Sequence, residues 1–467
     1  MNPFQQWVGL PSDPRRSLPN TQRKPIPPAL RLVLGLATLV CIGTILLMLP
    51  ISGANGALSW NQALFTATSA LSVTGLTVIT PVNDLSLFGQ IVLLLLIQLG
   101  GVGFMVTAVV VLRLLGRRLS LTDRLTLTDS LGLLAPGAIV QLTRRVLATV
   151  LTIEGAGALL LYLHWRNDER LTESQAAFFA LFHAVSAFCN AGFDLFNGTP
   201  GYDGGIPRDS ISLILIGILL FVGGLGIPVV ADLLAYRREH HVSLHTRITL
   251  LVVVFLIASG TVGIFLAEGR TVGVLDGKPL HEQIWLSFFQ AVASRSSGIV
   301  GIAAFESLTP ASQVLIMTLM FVGSPPASMG GGITTGTFAV LTISLWSFVR
   351  GLPATQFGGR TLATGTVRKA AAVLTISLFV VLLATWLILI THPQATLDQA
   401  AFEVISAFAT CGLSLGFTAE MNLFGQLITV AMMFWGRLGA LTIVIALAQQ
   451  QGRPHSLVYP EEQILIG

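Results

Sequence analysis

Four short polar runs, each carrying one glycine, interrupt an otherwise strongly apolar chain: SVTGL (Ser72 to Leu76), CNAGF (Cys189 to Phe193), SSGI (Ser296 to Ile299) and TCGL (Thr410 to Leu413). Backbone that is neither helix nor closed barrel survives at membrane depth only where it is buried in protein or borders water. Glycine reaches backbone angles that strain other residues, so each run can lie extended and turn its carbonyls to one side, where they replace a cation's hydration shell. The chemistry on offer is therefore coordination by backbone oxygen. The candidate coordinating residues are Val73, Thr74 and Gly75; Asn190, Ala191 and Gly192; Ser296, Ser297 and Gly298; and Thr410, Cys411 and Gly412. Their side chains are expected to point mostly away from the axis, with hydroxyls supplementing the carbonyls. Four such runs predict four walls of one ion pore.

The elements that must position these runs follow from periodicity. Trp60 to Ala70, Gln175 to Ala187, Gln283 to Ala293 and Gln399 to Phe408 precede the four runs, with apolar residues at helical spacing and small residues near their ends. They are shorter than the ~20 residues a spanning helix needs, so they are predicted as re-entrant helices whose negative dipole ends face the pore centre. Interfacial helices would leave the glycine runs without a role. Eight apolar stretches can cross a bilayer: Leu30 to Leu49, Leu87 to Leu115, Leu142 to Trp165, Ser210 to Tyr236, Thr246 to Glu268, Pro310 to Val349, Arg368 to Thr391 and Phe424 to Gln449. With 53% hydrophobic and 10% charged residues and a mean hydropathy of +0.79, the chain reads as an all-α polytopic membrane protein. Four membrane-pore-membrane repeats of about 110 residues each are expected around one central pore, with eight transmembrane and four re-entrant helices. Their bounds are a cytoplasmic arm at 1–29, repeats at 30–119, 120–240, 241–350 and 351–449, and a cytoplasmic tail at 450–467. The first span follows a polar, proline-bearing arm without a small-residue cleavage site and reads as a retained helix rather than a signal peptide.

Charge fixes the expected orientation. Of 26 Lys and Arg, nineteen, among them Arg15, Arg117, Arg144, Arg237 and Arg368, fall on the face that carries the termini. Six (Arg166, Arg170, Arg208, Arg270, Lys278 and Arg295) fall on the other, and Arg437 lies inside a span. Both termini are therefore expected in the cytoplasm of a multi-pass protein of the cell membrane. Acidic residues run the other way: fourteen of 22, including Asp84, Asp168, Glu169, Asp194, Asp203 and Asp276, map outside. They either raise the local cation concentration or are solvated loop residues. The net charge of +4 reports inner-face topology, not nucleic-acid binding. Cys41 lies in a span, and Cys189 and Cys411 sit in polar runs held too far apart for a bridge, so free thiols behind the filter are expected.

The sixth span is broken by Gly323 to Thr337, which holds two prolines and cannot remain one straight helix. Its candidate gate residues are Gly323, Ser324, Gly330, Gly331, Gly332, Thr334 and Thr335, and the segment is either a mobile obstruction below the filter or a passive kink. Arg437 is the basic residue deep in a span, a costly position that by default marks function. It either holds the 323–337 loop through backbone carbonyls or braces helices. Glu154, His183 and Glu403 carry weaker signals, and structural roles are expected of them.

At these residues the chain resembles the Trk/Ktr/HKT superfamily of potassium transporters, and within it the KtrB-like membrane subunits. The resemblance covers Leu30 to Gly467 through Thr66 to Leu76, Gln98 to Phe104, Ser186 to Phe196, Ser294 to Ile299, Ser406 to Gly416, Phe434 to Gly439 and the tail Tyr459 to Gly467. Eight spans rather than ten set it apart from the TrkH branch. The resemblance implies potassium uptake, with potassium as substrate at a filter around Gly75, Gly192, Gly298 and Gly412, and sodium as a candidate activator. It also implies gating by the intramembrane loop, homodimerisation aided by the tail, and a cytosolic KtrA-like ring that alone carries nucleotide, with no covalently bound cofactor. Glycine at position 75 goes with potassium preference in this family. A lysine common after the Gly-Gly-Ile of the loop is replaced by Thr334, which leaves Arg437 as the cation expected near the gate.

Two other classes of protein fit the residues less well. An alternating-access carrier of another small substrate would show two inverted halves, whereas four like-oriented units are expected here. An intramembrane hydrolase has only His183 near Ser186 to suggest it, without a third group, so no catalytic step is expected.

Overall fold

The computed structural model describes residues 28–439 apart from 104–138, 203, 227–228, 231, 234–235, 237–241, 270–272 and 327. The expected arm, the tail with its Tyr459 to Gly467 motif, and Asp203 lie outside the described residues. Within them the order helix, short helix, helix occurs four times. The first unit has α1 (Pro28–Met48), α2 (Trp60–Ser72) and α3 (Leu87–Gly101), and the second α4 (Ile139–Trp165), α5 (Glu173–Phe188) and α6 (Ser210–Gly224). The third has α7 (Leu244–Glu268), α8 (Leu280–Ala293) and a split pair, α9 (Pro310–Val322) and α10 (Thr335–Val349). The fourth has α11 (Thr364–Thr391), α12 (Leu397–Phe408) and α13 (Leu423–Leu438).

Local chemistry repeats with the architecture. Helices leave their first N–H groups without partners, and the third helix of every unit begins at a side chain that accepts one of them. Ser86 accepts from Gly89, Asp209 from Ser212, Thr309 from Ser312 and Asn422 from Gly425, at 3.2, 3.0, 3.4 and 2.9 Å. Three of the short helices, α2, α5 and α12, start with a Ser or Thr followed three residues later by Gln, whose amide oxygen returns to the cap N–H.

Packing closes the units into a ring. Each short helix packs on the outer helix of its own unit, α1 on α2, α4 on α5, α7 on α8 and α11 on α12. Each inner helix packs on the short helix of the next unit, α3 on α5, α6 on α8 and α9 on α12, and α13 returns to α2. The outer helices are apolar: Leu147–Trp165, Leu244–Glu268 and Thr364–Thr391 are long and apolar enough to cross a membrane. They keep large side chains such as Leu151, Phe255, Phe379 and Leu382 exposed, as expected where hydrocarbon replaces water as the outer solvent.

The inner helices differ from expectation. Continuous spans were expected over Leu87 to Leu115, Ser210 to Tyr236 and Phe424 to Gln449; α3, α6 and α13 end at Gly101, Gly224 and Leu438, and residues 104–115 and 440–449 of the expected spans lie outside the described residues. Just beyond, Gly103, Gly226 and Gly439 have φ of 83°, 83° and 78°, and Gly323 ends α9 at 53°. The left-handed region stops a helix and is open to glycine at no steric cost. The interruption expected in the sixth span is thus one case of a break at glycine that all four inner helices make within the described residues. It is also shorter than read, because Thr334 caps α10 by accepting the Thr337 N–H at 3.3 Å and Thr335 to Thr337 are helical. The Thr334 cap restarts the helix two residues after the triple glycine, although Thr335, Gly336 and Thr337 are themselves weak helix formers.

Candidate functional site

Each short helix delivers its glycine run to the centre by a left-handed turn. Val73, Asn190 and Thr410 have φ of 60°, 59° and 47° at corresponding positions, although two of them are β-branched. Such residues cost on the order of 1–3 kcal/mol each in this region and persist where the surroundings over-determine them. Two residues later Gly75, Gly192 and Gly412 have φ of 93°, 72° and 92°, while Gly298 of the third unit does not share this conformation.

The four glycines form a closed ring. A Cβ on Gly75 would collide with the Ala191 carbonyl oxygen; one on Gly192 would lie 2.6 Å from the Gly298 nitrogen; one on Gly298 would lie 2.9 Å from the Gly412 carbonyl carbon; and one on Gly412 would collide with the Thr74 oxygen. The strand of each unit therefore fills the space where the side chain of its neighbour would be, in chain order and back to the start. Above the ring opens a vestibule of about 500 Å³ lined by Gly75, Gly192, Gly298, Asp194, Arg208 and Glu306.

Buried serines pin the strands, and sequence reasoning gave them no role. Ser69 and Ser406 accept the Gly75 and Gly412 N–H groups, each at 3.0 Å, and Ser186 donates to the Phe193 carbonyl at 2.8 Å. All three are fully buried, so deleting one hydroxyl leaves a buried partner unpaired at a cost of about 1–3 kcal/mol. The signal was a serine six residues before the filter glycine in three of the four runs. The inner helices come equally close: a Cβ on Gly100, Gly223 or Gly436 would collide with a carbonyl of the last turn of a short helix, at Leu71, Phe188 or Phe408.

Below the filter the 323–334 segment touches two strands directly. A Cβ on Gly330 would lie 2.5 Å from the Ser296 Cβ, and one on Gly331 would lie 2.7 Å from Thr410 Oγ1. The segment closes on itself, with the Thr335 N–H donating to the Ser324 carbonyl at 3.1 Å and Gly332 at a φ of 77°. Arg437 donates to the Met329 carbonyl at 2.5 Å and also to the Gly100 carbonyl of the first unit. It stands where the first and second units have Gly101 and Gly224. Arg295 was expected on the outer face, and Arg437 as the only basic residue at depth, but Arg295 is 6% exposed and donates to the Gly323 carbonyl at 3.2 Å. It immediately precedes the third polar run, and its side chain reaches the start of the intramembrane segment instead of the loops on the other side.

The remaining candidates are tied into the scaffold. His183 Nε2 lies 2.9 Å from Asp194 Oδ1 and its Nδ1 2.8 Å from the Phe179 carbonyl. Since the Ser186 hydroxyl is spent on Phe193, no His183–Ser186 bond exists among the described residues. Glu403 accepts from Ser414 at 2.8 Å and from Thr418, and Glu154 accepts from Gln98 at 3.0 Å. Cys189 and Cys411 are buried free thiols. Several of the acids expected outside are likewise engaged. Asp84 accepts the Thr80 N–H at 2.7 Å. Asp168 is gripped by Arg170 at 2.7 Å and by the Tyr202 hydroxyl at 2.7 Å, and the Arg170 hydrogen bonds hold its carboxyl well below the usual carboxylate range. For these residues the structural reading is the one the geometry favours.

Comparison with known proteins adds the family. A family described as TrkH, cation transport protein, matches residues 36–456. The chain belongs to the TrkH cation transport family. Among relatives, the Ktr system potassium uptake protein B of Bacillus subtilis is 36% identical over 437 residues, covering 93% of this chain and 96% of the relative. The protein of the same name from Vibrio alginolyticus is 35% identical, covering 91% of each chain. The potassium/sodium uptake protein NtpJ of Enterococcus hirae is 31% identical, covering 95% of this chain and 98% of its own. The crystal structure of the potassium transporter TrkH from Vibrio parahaemolyticus superposes with a TM-score of 0.72 at 19% identity, covering 93% of this chain and 87% of that one. The last likeness establishes the TrkH fold for this chain.

Proposed function

We propose that this TrkH-family chain takes up potassium by channel-like permeation through the ring of Gly75, Gly192, Gly298 and Gly412. The observation that carries the proposal is the closed contact of these four glycines, each filling its neighbour's side-chain space. Backbone carbonyls of residues 73–75, 190–192, 296–298 and 410–412 strip and replace the ion's water, and the short-helix C-termini behind them add negative dipole ends. Uptake of a cation down the membrane potential needs no further energy source, since one charge gains about 2.3 kcal/mol per 100 mV. The names of the relatives, potassium uptake protein B and potassium/sodium uptake protein, support potassium as substrate and leave sodium as a candidate activator.

In this reading residues 323–334 are the gate. Gly330 and Gly331 lie against Ser296 and Thr410 directly under the filter, and Arg437 holds the segment at the Met329 carbonyl. The relatives' designation as parts of a Ktr system supports a partner subunit, and in this reading that partner is a cytosolic, nucleotide-carrying ring that moves the segment. Homodimerisation, a multi-pass place in the cell membrane and cytoplasmic termini complete the proposal, the last resting on the distribution of basic residues.

The test is growth. Cells lacking their own potassium uptake should grow at micromolar to low millimolar potassium when this chain and its ring partner are expressed. Failure to restore growth or rubidium uptake, with the protein present in the membrane, would refute the proposal.

A further inference from the structure

The third filter strand is unlike the other three. Ser69, Ser186 and Ser406 pin their strands, but the third unit has Val292 at the matching position and no hydroxyl to give. The Ser297 hydroxyl has no partner among the described residues, and Ser296 and Gly298 lack the left-handed backbone of their counterparts. The same unit has a long cationic side chain where the others have Ser72, Cys189 and Ala409. This is Arg295, three residues before Gly298. Its guanidinium donates to the Gly323 carbonyl at 3.2 Å, and its Nε has no partner among the described residues. A guanidinium carries five donors, and a buried charge with few acceptors is strongly tied to each one it has. Gly323 is the residue at which α9 gives way to the intramembrane segment.

We propose that Arg295 is a positioning residue that couples the intramembrane segment to the filter, so that displacement at Gly323 is passed through the guanidinium to Ser296, Ser297 and Gly298. The strand so coupled is the one that no serine pins. Arg437 differs in kind: it grips the far part of the segment at Met329 and braces it on Gly100 of the first unit, touching no filter strand through its hydrogen bonds. The proposal rests on the reading of the chain as a cation pore, and it deepens that reading by making selectivity depend on gate position.

The experiment compares rubidium and sodium flux into proteoliposomes for the parent chain, a deletion of residues 330–332, Arg295→Gln, and both changes together. With Arg295 in place the deletion should change the rubidium-to-sodium ratio by about five-fold or more, the low end of ordinary coupling between sites. In the Arg295→Gln background total flux should still rise on deletion, but the ratio should move by less than about two-fold, the scatter of independent sites. Arg295→Lys, which keeps a charge and a donor, should recover part of the shift. Equal shifts with and without Arg295 would overturn the proposal. Should Arg295→Gln not fold, Val292→Ser supplies the second arm. A serine there should pin the third strand and blunt the deletion's effect on the ratio, and an undiminished effect would overturn the proposal. No rubidium flux through the parent chain would sink the pore reading itself, and the proposal with it.

Discussion

At Gly75 the hydrogen that stands for a side chain points at the Ala191 carbonyl of the next unit, with a φ of 93° that favours glycine. Gly75→Ser should therefore push that carbonyl aside and add a hydroxyl at the ring. Losing one ligand to a charge is worth on the order of 1.5–3 kcal/mol, so discrimination between rubidium and sodium should fall about ten-fold or more. Competition of sodium with rubidium uptake measures this, and unchanged discrimination would remove Gly75 from the filter. At this scale the sequence was readable where a residue is exceptional: glycine in a polar run, arginine in an apolar helix. It was unreadable where ordinary residues act through position. Ser69, Ser186 and Ser406 look like any small residue near a helix end, and Arg295 looked like an outer-face charge because the reach of its side chain to the Gly323 carbonyl is a tertiary fact.

At the scale of elements, the inner helices carry the break that matters. In every unit a glycine with positive φ interrupts the inner helix, and in the third the interruption opens into residues 323–334 before Thr334 restarts it. Removing residues 330–332 takes away the glycines that lie against Ser296 and Thr410. Rubidium flux in the absence of the ring partner should rise at least about ten-fold, equivalent to about 1.4 kcal/mol less hold on the closed state. Unaltered flux would mean that the segment is a passive kink. The short helices were legible from length and helical spacing, and the proline pair marked the sixth-span break. The matching stops in α3, α6 and α13 were hidden inside apolar runs, since hydropathy registers glycine as neutral and says nothing of its φ.

For the whole molecule, the ring closes because each inner helix leans on the short helix of the next unit and α13 returns to α2. Four unequal strands meet at four glycines, so what is shared is backbone, and on the proposed function selectivity would rest there more than on a symmetric set of side chains. The fourfold order could be seen in the chain because it is written as repetition. The split sixth span of the third unit could be seen as well, but its tie to the filter strand could not, because Arg295 acquires its meaning only against the Gly323 carbonyl. The most direct measurement is rubidium entry into proteoliposomes of the purified chain under an inside-negative potential, with potassium or sodium as competitor. The account predicts potential-driven rubidium accumulation that potassium suppresses at far lower concentration than sodium. Absence of rubidium entry, or equal suppression by the two ions, would contradict it.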